Sequence, residues 1–185
     1  MLLPRGRRLA RLGQGLPGSA LAGLLLVGNI GRMTQAMPSI AELLPATVPM
    51  VRTLNLAFDE CTATRAVLRM PDQAPFHNHV GGPHAGAMFT LAESASGAIV
   101  LAAFGDQLSR AVPLAVDARI AYKKLAMGEV TATAELGRPA AEVVAELDAG
   151  QRPEFPVEVT IRRADGEVTG EMTITWTLKP NRPAA

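Results

Sequence analysis

The 185-residue sequence predicts an α+β domain in which one long apolar helix packs against an antiparallel sheet of about six strands. Three observations support this fold class. Residues 85–105 contain a single ionisable side chain, Glu93, in a stretch rich in Ala, Gly and Leu, which is typical of a buried helix. Several segments on either side alternate between apolar and polar residues, which indicates half-buried strands. The dipeptide Asp165-Gly166 is a strong signal for a hairpin turn.

Composition excludes several classes of protein. An apolar content of 48% and a charged content of 19% are typical of a soluble globular chain. The single cysteine, Cys61, excludes an intrachain disulfide and a cysteine-based metal cluster. Residues 1–41 hold five arginines and no other charged residue, so the remainder carries 13 basic and 17 acidic side chains. That remainder has no basic stripe with interleaved aromatic residues, and we therefore expect no nucleic-acid binding.

Residues 1–35 are predicted to form a basic and apolar extension, before a main domain over residues 36–180 and a tail over residues 181–185. Arginines precede the apolar segment 20–27, as in a signal peptide, but this segment is shorter than the roughly 20 residues that span a bilayer. No clean small-residue cleavage site follows it. We therefore expect a helical extension and a cytoplasmic protein. Export, membrane contact by the extension and a start codon at one of two later methionines are the less favoured alternatives.

The main domain is predicted to begin with a short helix over residues 39–44, between a serine cap and a proline. A strand pair over residues 51–58 and 62–70 follows, joined at Asp59-Glu60. In the second strand, arginines alternate with apolar side chains, so we expect one face to be buried and the other to meet solvent.

The long helix is predicted to start after Gly81, Gly82 and Pro83 and to cover residues 85–105. Proline fits the first positions of a helix because its missing N–H would have no partner there. A carboxylate in the middle of such a helix is unfavourable to bury unless it is paired, hydrogen-bonded or protonated. We therefore expect a perturbed pKa for Glu93, which makes this residue a candidate for function.

After the long helix, the chain is predicted to form about four strands in a meander, over residues 112–124, 128–136, 157–163 and 167–178. A helical pattern covers residues 139–149 between the second and third of these strands. In the first strand, five side chains are predicted to share one face: Leu114, Val116, Ala118, Ile120 and Tyr122. One helix cannot cover both faces of such a sheet, so we expect an exposed edge or face to pair with a second copy.

Residues 84–93, HAGAMFTLAE, resemble the H-G-G-A-x-x-x-L-A-[D/E] signature of hotdog-fold acyl-CoA thioesterases, the superfamily of PaaI and 4-hydroxybenzoyl-CoA thioesterase. Asn78 lies six residues upstream, as an active-site asparagine does in several members. Residues 115–122 followed by Gly128 resemble the family's strand that ends in an aromatic residue before a glycine turn. The resemblance spans about residues 51–178 and is closest to the members grouped as a domain of unknown function, DUF4442. It implies a hotdog fold, in which the sheet wraps around the long helix.

The resemblance implies hydrolysis of an acyl-CoA, or less favourably an acyl-carrier-protein thioester, to the free acid without metal or redox cofactor. This chemistry needs a base or nucleophile and a donor to the oxyanion that develops on the carbonyl. Glu93 is predicted to be the base or nucleophile. The backbone N–H groups of Ala85 and Gly86, at the positive end of the helix, are the predicted donors. The resemblance further implies that Asn78 orients water or Glu93 and that His84 positions the carbonyl or the loop.

His84 and Glu93 are nine residues apart, which places them on opposite sides of one helix at about 100° per residue. We therefore expect Glu93 of one subunit to face Asn78, His84 and Ala85 of another, as the hotdog dimer implies. The expected assembly is a homodimer or a dimer of dimers, which is a homotetramer. Substrate contacts are predicted for five further residues: Gly82, Met88, Phe89, Tyr122 and Lys123.

Two departures from the family pattern favour a second hypothesis, a non-catalytic acyl- or lipid-binding protein. Ala85 replaces the first glycine of the signature, and Ala115 stands where some members place a Ser or Thr that positions water. A metal site at His77, His79 and His84 is less favoured because no acidic or cysteine partner is nearby. A hydratase or dehydratase is also less favoured, since it needs an Asp and a His on one catalytic loop.

Overall fold

In the computed structural model, which describes residues 38–181, two short helices precede the sheet. Helix α1 spans Ile40–Thr47 and α2 spans Pro49–Thr53. The carboxylate of Glu42 accepts hydrogen bonds from the backbone N–H and the hydroxyl of Ser39, each 2.8 Å long, and so holds the first turn of α1. The predicted N-terminal extension lies outside the described residues.

Six antiparallel strands form one sheet in the order β1-β2-β4-β5-β6-β3. The strands are β1 (Ala57–Cys61), β2 (Arg65–Met70), β3 (Ala111–Tyr122), β4 (Val130–Leu136), β5 (Glu154–Arg163) and β6 (Val168–Pro180). Two further helices are α3 (Ala85–Phe104), between β2 and β3 in the chain, and α4 (Ala140–Asp148), between β4 and β5. This confirms the predicted α+β architecture of a long helix wrapped by an antiparallel sheet.

The first predicted strand, over residues 51–58, is wrong except for its last two residues. Val51 belongs to α2, which begins with Pro49, and β1 begins only at Ala57. Pro49 is suited to the first position of a helix, and the helical turn that follows buries Val51 in the core. Helix α1 also continues through Pro45, where the sequence predicted its end.

The turn between β1 and β2 lies at residues 62–64 and not at Asp59-Glu60. The hydroxyl of Thr62 accepts a hydrogen bond from the N–H of Arg65 (3.0 Å) and donates one to its carbonyl (2.9 Å), which closes the turn. Asp59 and Glu60 instead lie in β1 and form ion pairs with arginines of β2. The adjacent acidic residues Asp59 and Glu60 therefore predicted a turn, but they lie in a strand and pair with side chains of the neighbouring strand.

Strand β3 lies at the far edge of the sheet beside β6, and the predicted four-strand meander is therefore wrong for this strand. Only β4, β5 and β6 follow one another as a meander. Helix α3 has 20 residues and is about 30 Å long at 1.5 Å per residue. It therefore carries the chain from β2 across the sheet to the opposite edge, where β3 begins.

A bulge at Val116 changes which side chains of β3 lie on the same face of the sheet. Ala115 lies opposite Trp176 of β6, and Asp117, two residues later, lies opposite the adjacent Thr175. The extra residue shifts the alternation by one, so Ala118, Ile120 and Tyr122 share the helix-facing side with Ala115. Leu114 points to the outer face and is exposed. The predicted common face of five side chains is therefore wrong, because a period of two does not survive an inserted residue.

Helix α3 is apolar on every side, and it contacts all six strands and both N-terminal helices. By length and composition alone it could cross a membrane, but in this domain it is the core and most of it is buried. One side remains partly exposed, with residues spaced three or four apart, and we call it the open stripe: Gly86, Thr90, Glu93, Gly97 and Leu101.

The loop before α3 packs tightly against the loop between β3 and β4. Gly82 is buried there, and a Cβ at this position would collide with the carbonyl oxygen of Ala126 and lie 3.0 Å from Sδ of Met127. This close approach sets the position of the chain that enters α3, and it requires a residue without a side chain.

We predict that Gly82→Ala destabilises the protein by about 1–3 kcal/mol, because the added methyl meets backbone that has little freedom to move. The measurement is the free energy of unfolding in urea. Gly105→Ala is the matched control, since Gly105 has helical φ and no neighbouring heavy atom within 4 Å of its added Cβ. Equal effects of the two substitutions would contradict the tight packing of this loop.

Candidate active site

The start of α3 is capped by the side chain of His84. Its Nδ1 accepts a hydrogen bond from the backbone N–H of Gly86, with a length of 3.0 Å. In the neutral imidazole, an accepting Nδ1 places the ring proton on Nε2. Of the two predicted oxyanion donors, Gly86 is thus engaged by the cap. The N–H of Ala85 has no hydrogen-bond partner within residues 38–181.

The loop that leads into α3 is organised around the amide of Asn78. Its Oδ1 accepts hydrogen bonds from the N–H groups of Val80 (3.0 Å) and Gly82 (3.3 Å), and its Nδ2 donates to the carbonyl of Pro83 (3.2 Å). Both ends of the amide are therefore used inside the loop, as in a side-chain-stabilised turn. Within one chain, Asn78 does not hydrogen-bond to Glu93.

The three histidines near the helix start make separate contacts. Nε2 of His77 lies 2.6 Å from Oδ1 of Asp72, His79 is exposed, and His84 caps α3. In the described part of the chain, no group of three or more His, Cys, Asp and Glu side chains is arranged to hold a metal ion.

Tyr122 joins the end of β3 to the first turn of α3. Its hydroxyl donates a hydrogen bond of 2.9 Å to the carbonyl of Ala85, and about half of the side chain is exposed. Partial burial raises the pKa of this phenol, so it remains a protonated donor at neutral pH. Tyr122 thus holds the residue whose N–H is the remaining candidate oxyanion donor.

The other predicted substrate contacts have different environments. Met88 is buried in the core, and Phe89 is partly buried against it. Lys123 is exposed and forms an ion pair of 2.8 Å with Glu171. Gly82, as described above, is buried beneath Ala126. Within one chain, Phe89, Tyr122 and Lys123 therefore remain accessible to a ligand, while Met88 does not.

Glu93 lies in the middle of α3, on the open stripe, with its side chain partly buried. Its carboxylate forms no hydrogen bond and no ion pair with any residue that the structure describes. Burial away from water raises the pKa of this carboxyl group above the ordinary value of 4.5. A partly buried acid without a partner, in a helix that is otherwise apolar, is a strong candidate for a functional group.

The predicted catalytic residues do not meet within one chain. Asn78, His84 and Ala85 cluster at the start of α3. Glu93 lies eight residues beyond Ala85, which is about 12 Å along the helix axis. One thioester carbonyl cannot contact both the N–H of Ala85 and the carboxylate of Glu93 over this distance.

Two residues near Glu93 were not among the sequence candidates. Nε1 of Trp176 donates a hydrogen bond of 3.1 Å to Oγ of Ser96, and this hydroxyl donates one of 2.7 Å to the backbone carbonyl of Glu93. The same tryptophan lies opposite Ala115 in the sheet. The sequence contains two unusual features here, a serine in an apolar helix and the only tryptophan of the chain. The two residues are 80 positions apart, so the sequence does not indicate that they are in contact.

Comparison with known proteins identifies the family. Residues 39–178 match the model described as a domain of unknown function, DUF4442. The chain belongs to the DUF4442 family. No curated protein matches it.

Solved structures share the fold of this DUF4442 protein. A protein of unknown function from Pseudomonas aeruginosa, described as a probable thioesterase, is 25% identical with a TM-score of 0.70, over 78% of this chain and 97% of that one. A thioesterase family protein from Silicibacter pomeroyi is 22% identical with a TM-score of 0.62, over 77% and 97%. AziG from S. sahachiroi is 20% identical with a TM-score of 0.60, over 72% and 98%. The predicted hotdog fold is thereby confirmed.

In this DUF4442 protein, we predict that Glu93→Gln increases stability at neutral pH. The carboxyl group has a raised pKa in the folded state, so its neutral form stabilises the fold and its ionised form does not. The stabilising contribution of neutral Glu93 is complete below the ordinary value of 4.5 and is lost as pH rises through the raised pKa.

The measurement is the free energy of unfolding in urea at a series of pH values and at constant protein concentration, since subunit association also contributes to stability. The wild type and Glu93→Gln are expected to converge in acid and to separate as pH rises. A difference that does not depend on pH would contradict a raised pKa for Glu93.

Proposed function

We propose that this protein hydrolyses an acyl-CoA thioester to the free acid and CoA, with Glu93 as general base or nucleophile. The observation that carries the proposal is the carboxylate of Glu93, which is partly buried, has no partner in the described chain and lies on the open stripe of α3. Membership of DUF4442 and the likeness to proteins described as thioesterases support this class of chemistry.

The reaction uses few groups. As general base, Glu93 takes a proton from water while the hydroxide attacks the thioester carbonyl, and the proton then passes to the departing CoA sulfur. As nucleophile, a Glu93 oxygen attacks the carbonyl and expels the thiolate, and water hydrolyses the resulting mixed anhydride. In either route the carbonyl oxygen becomes an oxyanion, for which we assign the N–H of Ala85 as donor. Tyr122 holds the carbonyl of Ala85, which is the far side of the same residue, and Asn78 and His84 set the shape of the loop and the cap.

Two subunits supply each site in this proposal. A separation of about 12 Å along α3 prevents Glu93 and Ala85 of one chain from acting on the same carbonyl. Strand β3 supports association, because it is an edge strand with the exposed apolar side chains Val112, Leu114 and Val116. A homodimer with Glu93 of one subunit beside Ala85 of the other completes two equivalent sites, and a dimer of dimers repeats the arrangement.

In this proposal, the substrate approaches the start of α3 along the surface formed by the loop before α3 and the loop between β3 and β4. We assign contacts to the accessible Phe89, Tyr122 and Lys123, of which the lysine is suited to a phosphate of CoA. Gly82 and Met88 act beneath this surface, the first by allowing the two loops to meet and the second by packing in the core.

We predict that wild-type protein releases thiol from at least one member of a panel of short, medium, long-chain and aryl acyl-CoAs. Glu93→Gln is expected to lower kcat by about 10²–10⁴-fold, the usual contribution of a general base. Activity of the wild type is expected to rise with pH through the raised pKa of Glu93, because the ionised carboxylate is the active form.

Glu135→Gln is the matched control, since it makes the same chemical change at an exposed position of β4. Circular dichroism should show the same fold for all three proteins. Unchanged turnover in Glu93→Gln would contradict the assigned role of Glu93.

A second prediction tests the shared site. Ala85→Pro removes the proposed oxyanion donor at the first helical position, where proline is accepted, and the extended backbone of His84 is compatible with a following proline. We expect a loss of about 10²–10³ in kcat. Mixed dimers of Ala85→Pro and Glu93→Gln should regain about half of the wild-type activity, because one of their two symmetric sites carries neither change.

The mixed dimers are prepared by co-expression with two affinity tags, and each parent homodimer serves as control. If Glu93 and Ala85 acted within one chain, no site of the mixed dimer would be intact and activity would not return. A monomeric protein in sedimentation experiments with full activity would also contradict the shared site.

A non-catalytic acyl- or lipid-binding protein is the second candidate. Three observations favour it: His84 engages the N–H of Gly86, Ala85 carries a methyl group, and Ala115 has no hydroxyl to position water. For this candidate, the acyl-CoA panel would yield no thiol, but binding would change the fluorescence of Trp176, the only tryptophan of the chain.

A further inference from the structure

We propose that Ser96 and Trp176 are positioning residues, which set the rotation of α3 and thereby direct Glu93 into the active site. This inference rests on the proposed function of Glu93. It adds two residues that act on Glu93 through the backbone and packing of α3, and to which we assign no part in the bond-making steps.

The two side chains form a buried chain of hydrogen bonds that ends in the turn of Glu93. Trp176 is 8% exposed and Ser96 is fully buried. The indole Nε1 donates to Oγ of Ser96 over 3.1 Å, and that hydroxyl donates to the backbone carbonyl of Glu93 over 2.7 Å. The segment of α3 that carries Glu93 is thus tied to the sixth strand.

Apolar packing alone specifies the rotation of α3 weakly. The helix is rich in alanine and glycine, and its only partly exposed polar side chains are Thr90 and Glu93 of the open stripe, so little opposes a small turn about its axis. The hydrophobic effect is also non-directional. Hydrogen bonds have a preferred direction, and those that connect α3 to the strands therefore select one orientation.

Three side-chain hydrogen bonds connect α3 to strands within residues 38–181. Tyr122 binds the carbonyl of Ala85 at the start of the helix, and Sγ of Cys61 lies 3.6 Å from the carbonyl of Ala98, which is a weak contact for a thiol. The bond between Trp176 and Ser96 is the one that is buried and adjacent to Glu93.

The indole ring also limits the movement of α3 by its bulk. A Cβ added at Gly97 would lie 3.9 Å from the ring, so the indole packs directly against the helix one turn beyond Glu93. On its other side, Trp176 is paired with Ala115 of β3. The tryptophan therefore fills the space between α3 and the edge strand and prevents rotation in that direction.

A purely structural role makes a different prediction. Serine in a helix often donates to a carbonyl of the preceding turn, and a buried indole N–H needs an acceptor in any protein. If these bonds only stabilise the fold, their removal lowers the free energy of unfolding and leaves kcat as it was. If they position Glu93, kcat falls even under conditions in which the variant remains folded.

The experiment compares Ser96→Ala, Trp176→Phe and their double variant with Thr177→Val. Thr177 is the matched control because it is also fully buried and hydrogen-bonded, accepting from Nε of Arg152 over 3.1 Å. It follows Trp176 directly but points to the opposite face of the sheet. For each variant, kcat, KM and the free energy of unfolding are measured with the acyl-CoA that the wild type turns over best.

We expect each single change at Ser96 or Trp176 to lower kcat by about 10- to 100-fold with little change in KM, the effect of a displacement of about 1 Å at a reacting group. The double variant should lose less than the product of the two single losses, because both changes remove the hydrogen bond between Trp176 and Ser96. Thr177→Val should lose stability and keep the wild-type kcat. Wild-type kcat in Ser96→Ala, or an equal loss in Thr177→Val, would overturn the inference.

Carboxyl titration by NMR of protein labelled with ¹³C-glutamate separates this inference from the proposed function. A wild type without turnover on any acyl-CoA would refute the proposed function, and the titration then decides on positioning. In Ser96→Ala the pKa of Glu93 should move toward its ordinary value as the carboxylate gains contact with water, and in Thr177→Val it should stay. A Glu93 titration that is the same in both variants and the wild type would overturn the inference.

Discussion

The burial of α3 is the constraint on which the rest of this structure depends. A helix of 20 residues that is apolar on every side cannot lie on a surface, so the sheet must wrap around it. The six strands and two short helices cover most of its circumference and leave one open stripe. Glu93 lies on that stripe. The same enclosure that stabilises the domain therefore leaves an acid partly buried and raises its pKa.

The carboxylate of Glu93 has no hydrogen-bond partner in the described chain, whereas the polar side chains at the start of α3 are all hydrogen-bonded. Asn78 closes the loop, His84 caps the helix, and Tyr122 holds the carbonyl of Ala85. Gly82 allows this loop to contact the backbone of the next loop at close range. In the proposed reaction, these hydrogen bonds hold the N–H of Ala85 in place for the developing oxyanion, so that no donor has to reorient. Helix geometry keeps this end of α3 and Glu93 apart, which connects the proposed chemistry to assembly of subunits.

Much of the fold and part of the candidate site follow from local sequence. The limits of α3 agree with its prediction to within one residue, since an uninterrupted apolar stretch without proline ends at a glycine. The alternation of arginines with apolar residues in β2 and the Asp165-Gly166 turn before β6 were also correct. Glu93 could be singled out because a lone carboxylate in an apolar helix needs an explanation.

The order of the strands, the faces of β3 and the contacts of Glu93 could not be predicted from local sequence patterns. The edge position of β3 depends on where α3 delivers the chain, and the faces of β3 depend on the bulge at Val116, which a count of alternating residues does not reveal. The contact between Ser96 and Trp176 joins residues 80 apart in sequence. The sequence by itself determined which segments are buried and that one acid accompanies them, because periodicity and burial are short-range properties. Strand order, the orientation of α3 and the surroundings of Glu93 required the folded chain, because they arise from contacts between distant segments.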